Sequence, residues 1–216
     1  MLEILNPVIA YFQHLPWLEL LAMLLSLAYV ILVVKESLWC WPAAFISTAL
    51  YTYIFYDVSL LMDSALNAYY LVMAIYGYWQ WSKAKQPGNA VNITTDLAIA
   101  SWGLSLHIKI CLSLSVLSIG LGYVMSNYTH ADFAYLDTFT TVFSLFATYL
   151  VTQKVLENWL YWIVIDVVSI YLYIQKGLIP TTVLFIIMVG IAIYGYLKWL
   201  KLYKQPAVAP SSPSAY

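Results

Sequence analysis

The chain has 216 residues, of which 63% are hydrophobic and 9% charged, where an ordinary soluble domain has about 25% charged residues. Ten acids and nine lysines leave a net charge of −1, and there is no arginine. This composition excludes a nucleic-acid binder, which needs a basic face, and a disordered chain, which needs few aromatics and high charge. It also argues against a water-soluble enzyme, because too few polar residues remain to coat a globule. A polytopic protein whose partner is the lipid bilayer remains, and at about 20 residues per span the chain holds seven or eight spans. Cys40 and Cys111 both sit in apolar runs and indicate no disulfide framework.

In chain order, apolar runs predict membrane helices over Trp17–Val34, Trp39–Tyr56, Leu60–Trp81, Ile108–Tyr128, Phe133–Val151, Asn158–Gln175 and Leu178–Leu200. The Ser-containing stretch Ala98–Leu106 is expected to lie in the membrane interface as an amphipathic lead-in. The Pro/Ser/Ala-rich tail from Gln205 to Tyr216 is expected to be disordered. No basic segment precedes the first span, so a cleavable signal is not expected.

Lysine placement gives the expected direction. Lys35, Lys83, Lys85, Lys109, Lys154, Lys198, Lys201 and Lys204 fall on one side of a seven-span chain, and Lys176 falls on the other. The positive-inside rule then puts the N-terminus outside and the C-terminus in the cytoplasm.

An internal repeat is visible. Ala74–Trp81 and Ala192–Trp199 are identical at six of eight positions at a spacing of 118. Upstream, Trp39, Tyr51 and Tyr53 match Trp159, Tyr171 and Tyr173 at a spacing of 120, and Glu19 and Ser26 match Asp137 and Ser144 at 118. The expected organisation is an all-α membrane protein: a first three-helix repeat over 17–81, a lead-in and linker helix over 97–128, and a second three-helix repeat over 133–200. An odd number of spans reverses direction, so the linker restores it and makes the repeats parallel. Parallel repeats of this kind occur in transporters, with the substrate between them near the midplane.

Polar residues at membrane depth face a cavity or a partner, because a charge there costs a few kcal/mol at least. Trp159, Trp162 and Asp166 are spaced by 3 and 4, so they share one helix face, and Ser169 and Tyr173 continue it. Two indoles and a carboxylate suit a flat, cationic, aromatic ligand: the rings stack on it and the carboxylate supplies the counter-charge. The competing reading makes Trp159 an interfacial anchor and pairs Asp166 with another helix. Asn67 and Tyr70 in the third span, Thr141 and Ser144 in the fifth, and Trp39, Ser47 and Tyr53 in the second complete the candidate binding set. Small hydroxyls equally serve helix packing. His14, His107 and His130 have no metal-ligand spacing, and no phosphate-cradling glycine loop is present. No metal, cofactor or catalytic residue is expected.

The run Trp17-Leu18-Glu19, the stretch Ala74–Trp81 and Glu157-Asn158-Trp159-Leu160-Tyr161-Trp162 resemble the PnuC vitamin transporters. The resemblance covers residues 17–200. It implies a three-plus-one-plus-three, SWEET-like fold, a homotrimer in the bacterial inner membrane, and uptake by facilitated diffusion with the product trapped by cytoplasmic phosphorylation. Trp159, Trp162 and Asp166 match the family's site motif directly, and Asn67 and Tyr70 match by position. The nicotinamide riboside members carry Asn where this chain has Asp166, and amides where it has Ser47 and Asn67. The thiamine-type PnuT relatives look closer through Trp162–Asp166 and Gly195–Trp199. The resemblance therefore implies a cationic vitamin, thiamine first and nicotinamide riboside as the alternative. A seven-helix receptor is a further competing class.

Overall fold

The computed structural model describes residues 17–57, 61–83, 97–129, 133–177 and 179–205. The expected disordered tail beyond Gln205 lies outside the described residues. Among the described residues seven helices follow one another: α1 Trp17–Val34, α2 Cys40–Asp57, α3 Leu61–Lys83, α4 Leu104–Tyr128, α5 Ala134–Thr152, α6 Asn158–Gln175 and α7 Ile179–Tyr203. Each agrees with a predicted span to within a few residues.

Among the described residues four helices are long and apolar enough to cross a membrane by length and composition: α1, α4, α5 and, from Thr181, α7. The remaining three, α2, α3 and α6, carry much of the tryptophan, tyrosine and amide content. Polar side chains tolerated in such helices are those turned towards other helices.

Packing follows a simple order. The helix pairs α1–α2, α2–α3, α3–α5, α5–α6, α6–α7 and α7–α1 are in contact. They close a ring of six helices, and α4 stands outside it against α5. Interhelical hydrogen bonds tie the ring. Ser47 Oγ donates to the Ala22 carbonyl at 2.8 Å and pairs with Ser26 Oγ at 2.9 Å, joining α2 to α1. Ser64 Oγ donates to the Thr52 carbonyl at 2.9 Å, and Tyr69 OH to the Leu145 carbonyl at 3.0 Å. On the outside, Thr138 Oγ1 donates to the Ser118 carbonyl of α4 at 3.0 Å.

The same backbone pattern appears at two places 118 residues apart. The Ser37 N–H donates to the Leu32 carbonyl and the Glu36 N–H to Val33; correspondingly, Val155 N–H donates to Leu150 and Lys154 N–H to Val151. Each is a Schellman closure of a helix end. The following turns match as well, with Cys40 N–H donating to Ser37 and Asn158 N–H to Val155.

This register corrects the 120-residue offset read from tryptophan and tyrosine identities. The counterpart of Trp159 is Trp41, not Trp39. Trp41 is buried in an edge-to-face pair with Trp81 at 5.2 Å and 87°, as Trp159 is with Trp199 at 5.4 Å and 87°. Trp39 lies in the preceding turn and is 73% exposed. Identity matching chose the wrong member of the Trp-Cys-Trp run because composition carries no record of which indole meets the glycine of the next helix.

The lead-in to α4 has a defined form. Residues 97–103 are extended rather than helical, and Leu104 already begins α4. The Ala100 N–H donates to the Lys154 carbonyl at 3.0 Å, and its carbonyl accepts from the Leu156 N–H at 2.7 Å. Glu157 then accepts from Ser101 Oγ and from the Trp102 N–H, with His107 Nε2 at 3.6 Å. Backbone pairing to the α5–α6 turn satisfies this segment's polar groups without a helix.

Candidate functional site

The two ends of the ring differ. At one end, the C-termini of α1, α3, α5 and α7 and the N-termini of α2 and α6 meet in one buried cluster. It contains Val34, Trp41, Trp81, Val151, Trp159 and Trp199. At the other end, Asp63 lies in the first turn of α3, Asp137 in the first turn of α5, and Lys176 follows α6. Asp63 and Lys176 are exposed, and Lys176 Nζ stands 3.6 Å from Asp137 Oδ1. We call these the aromatic end and the acidic end.

Between them lies a group of polar side chains from three helices. Asp166 of α6 is buried, at 6% exposure, and forms no ion pair among the described residues. Tyr70 of α3 lies near Ser144 of α5 and within electrostatic range of Asp166. Tyr173, two turns beyond Asp166, lies within range of Asp63, Asp137 and Asp166. The spacing of 3 and 4 put Trp162 and Asp166 on one face of α6, and Trp162 packs against both buried clusters of the bundle. Thr141 is one turn before Ser144 on α5 and is half-buried.

The structure thus brings together Tyr70, Ser144, Asp166 and Tyr173 of the expected set. Trp159 sits deeper in the aromatic end; its indole N–H is buried and has no acceptor among the described residues. Asn67 is half-buried, and its Nδ2 donates to the Asp63 carbonyl of its own helix at 2.9 Å. The Ser47 hydroxyl is engaged between α1 and α2, at 1% exposure. Trp39 and Tyr53 turn outward, Tyr53 at 60% exposure. A helix read from sequence has a period but no fixed rotation about its axis, so spacing alone does not say which of these side chains turn inward.

Two groups escaped the sequence reading. Lys154 appeared only as a charge for orientation, yet it is buried beside Glu36. Tyr161 appeared only as part of the motif, yet its hydroxyl meets His107 Nδ1 at 3.0 Å and Cys111 Sγ at 3.4 Å. A lysine two residues after an apolar span carries no local sign of burial, so no sequence signal separates the two cases.

A groove of about 610 Å³ lies elsewhere, on the outside of the ring, lined by residues of α3, α4 and α5 including Tyr69, Leu117 and Tyr149. None of the expected binding residues lines it.

The family model described as nicotinamide mononucleotide transporter matches residues 16–201. Among curated proteins, the chain is 24% identical to the nicotinamide riboside transporter PnuC of Escherichia coli K12, over 90% of this chain and 89% of that one. It is 22% identical to the riboflavin/roseoflavin transporter RibM of Streptomyces davaonensis, over 87% and 86%. The crystal structure of the vitamin B3 transporter PnuC superimposes with a TM-score of 0.71, covering 94% of this chain and 89% of that one at 22% identity. The all-helical architecture and the ring are therefore those of a known transporter fold. The chain belongs to the nicotinamide mononucleotide transporter family and is a multi-pass membrane transporter of the vitamin type, not an enzyme.

Proposed function

We propose that the chain takes up nicotinamide riboside, or a vitamin of closely similar shape, by facilitated diffusion through the ring. The observation that carries this reading is Asp166, a buried carboxylate with no ion-pair partner among the described residues, with Tyr70 and Tyr173 within electrostatic range. A pyridinium ring supplies the missing positive charge, and Trp162 and the tyrosines supply faces for it. Tyr70, Ser144 and Thr141 offer hydroxyls for a sugar, and Trp159 offers its indole N–H deeper in the path.

The thiamine preference drawn from Asp166 and Ser47 is withdrawn in favour of its alternative. The relatives reported above are named for nicotinamide riboside and riboflavin, and both ligands join a flat heterocycle to a hydroxyl-rich five-carbon group. Ser47, whose hydroxyl holds α1, no longer counts as a lost ligand amide.

The wider reading has three parts. The ring forms from two parallel three-helix units, 17–81 and 133–200, with α4 as linker. The lysine-bearing aromatic end faces the cytoplasm of an inner membrane, with the N-terminus outside. Three copies associate, as the family resemblance implies; intact-complex mass measurement in detergent checks that number.

Calorimetric titration of the detergent-purified protein with nicotinamide riboside, thiamine and riboflavin in turn tests the substrate. Heat with nicotinamide riboside and none with thiamine is the expected result. Binding of thiamine alone would reinstate the reading withdrawn above. Uptake into sealed liposomes without a proton or sodium gradient checks the facilitated mechanism.

A further inference from the structure

Helix ends closed by a Schellman turn place their C′ residue in the left-handed region, where glycine is the usual occupant. Here the two equivalent C′ residues are Glu36, at φ 54°, and Lys154, at φ 50°. A charged side chain stands at each position where glycine is favoured. The two side chains meet: Lys154 Nζ lies 3.0 Å from Glu36 Oε2. Lys154 is 4% exposed, and its ammonium also lies 4.6 Å from the centre of the Trp81 ring.

The position of this pair in the ring gives it meaning. In the order α1–α2–α3–α5–α6–α7, α1 and α5 stand opposite one another. The pair therefore joins the ends of two opposed helices through the middle of the aromatic end. The Lys176–Asp137 pair at the acidic end differs, since it links the neighbours α5 and α6 along the rim and is exposed.

We propose that Glu36 and Lys154 form the latch that closes the aromatic end of the transport path, and that the pair must part before substrate can leave there. This inference rests on the transporter reading and extends it to the step after binding. A carrier with its site between two units opens one end at a time, and a bond across the axis is the contact such opening has to break. Trp81, whose N–H donates to the Thr152 carbonyl at 3.2 Å, holds the lysine's wall in place.

Cys40 reports on the latch. It begins α2, is fully buried in the same cluster, and lies within electrostatic range of Lys154. In a Cys111→Ser background, where Cys40 is the remaining cysteine, the rate of labelling by a charged maleimide is measured on detergent-purified protein without any substrate. Lys154→Met keeps an apolar stem against Trp81 and removes the bond. It is expected to raise the labelling rate about tenfold or more, as a shift of population toward the open end requires. The exchanged variant Glu36→Lys/Lys154→Glu is expected to return the rate close to that of the parent. Should Lys154→Met not purify as a single species, Glu36→Gln is read in its place with the same expectation. Labelling at the parent rate in the single variants, or equally fast labelling in the exchanged variant, overturns the latch. No vitamin enters this measurement, so its failure is separate from failure of the substrate reading, which the calorimetry tests.

Discussion

The indole of Trp159 occupies the space that a side chain at Gly195 would need: a Cβ there would stand 2.8 Å from three of the ring's atoms. Trp41 does the same at Gly77, where a Cβ would stand 2.3–2.4 Å from its ring. Both indoles are buried, so neither can swing away to make room. Alanine at either glycine therefore overpacks the aromatic end, at about 1–3 kcal/mol. Gly77→Ala and Gly195→Ala are each expected to lower the thermal unfolding midpoint in detergent, Gly77→Ala by more. Gly190→Ala, in the same helix α7 with open space at its Cβ, is the matched control and should leave the midpoint unchanged or slightly raised.

Asp166 supplies the only kind of charge in its group that a cationic ring can use. Asp166→Asn keeps the shape and hydrogen-bonding capacity and removes the charge. Affinity for nicotinamide riboside is expected to fall by about tenfold to a hundredfold, or roughly 1.4–2.7 kcal/mol. Affinity for an uncharged vitamin should move little. Equal affinity of parent and variant for the cation would show that the carboxylate does not serve as its counter-charge.

Ser47 and Tyr70 both belong to the candidate binding set, and the structure separates their expected phenotypes. Ser47→Ala removes two contacts between α1 and α2, each worth about 0.6 kcal/mol in a membrane bundle. A lower unfolding midpoint with unchanged ligand affinity is the expected outcome. Tyr70→Phe removes only the hydroxyl, which lies near Ser144. The midpoint should hold while affinity drops several-fold. Calorimetry and thermal unfolding on the same preparations decide both.

Glu157 gathers the extended strap before α4 through Ser101 and Trp102. Glu157→Ala leaves the Ala100 bridge intact but frees these two residues. Amide hydrogen exchange is expected to accelerate at Trp102 and to remain slow at Ala100, whose partners are the Lys154 carbonyl and the Leu156 N–H. Equal acceleration at both would mean that the carboxylate, not the backbone pairing, anchors the strap.

Much of this molecule was legible before any coordinates. A composition with 9% charge cannot coat a soluble globule, and seven apolar runs of membrane length leave few alternatives to a seven-helix bundle. The 118-residue echo between Ala74–Trp81 and Ala192–Trp199 points to two related units, and Asp166, one turn beyond Trp162, makes α6 the first place to look for a ligand site. These features are local: each depends on residue type and on spacing along one helix.

The remainder depends on rotation and on contacts between distant segments. Whether Trp39 or Trp41 is the counterpart of Trp159 turns on which indole meets Gly77 of the next helix. Whether Ser47 faces a ligand or Ala22 turns on the angle of α2 about its axis. Whether Lys154 is a solvated charge or half of a buried pair turns on where α1 ends, 118 residues earlier in the chain. Period alone leaves such angles and distances free, and only the closing of the six-helix ring determines them.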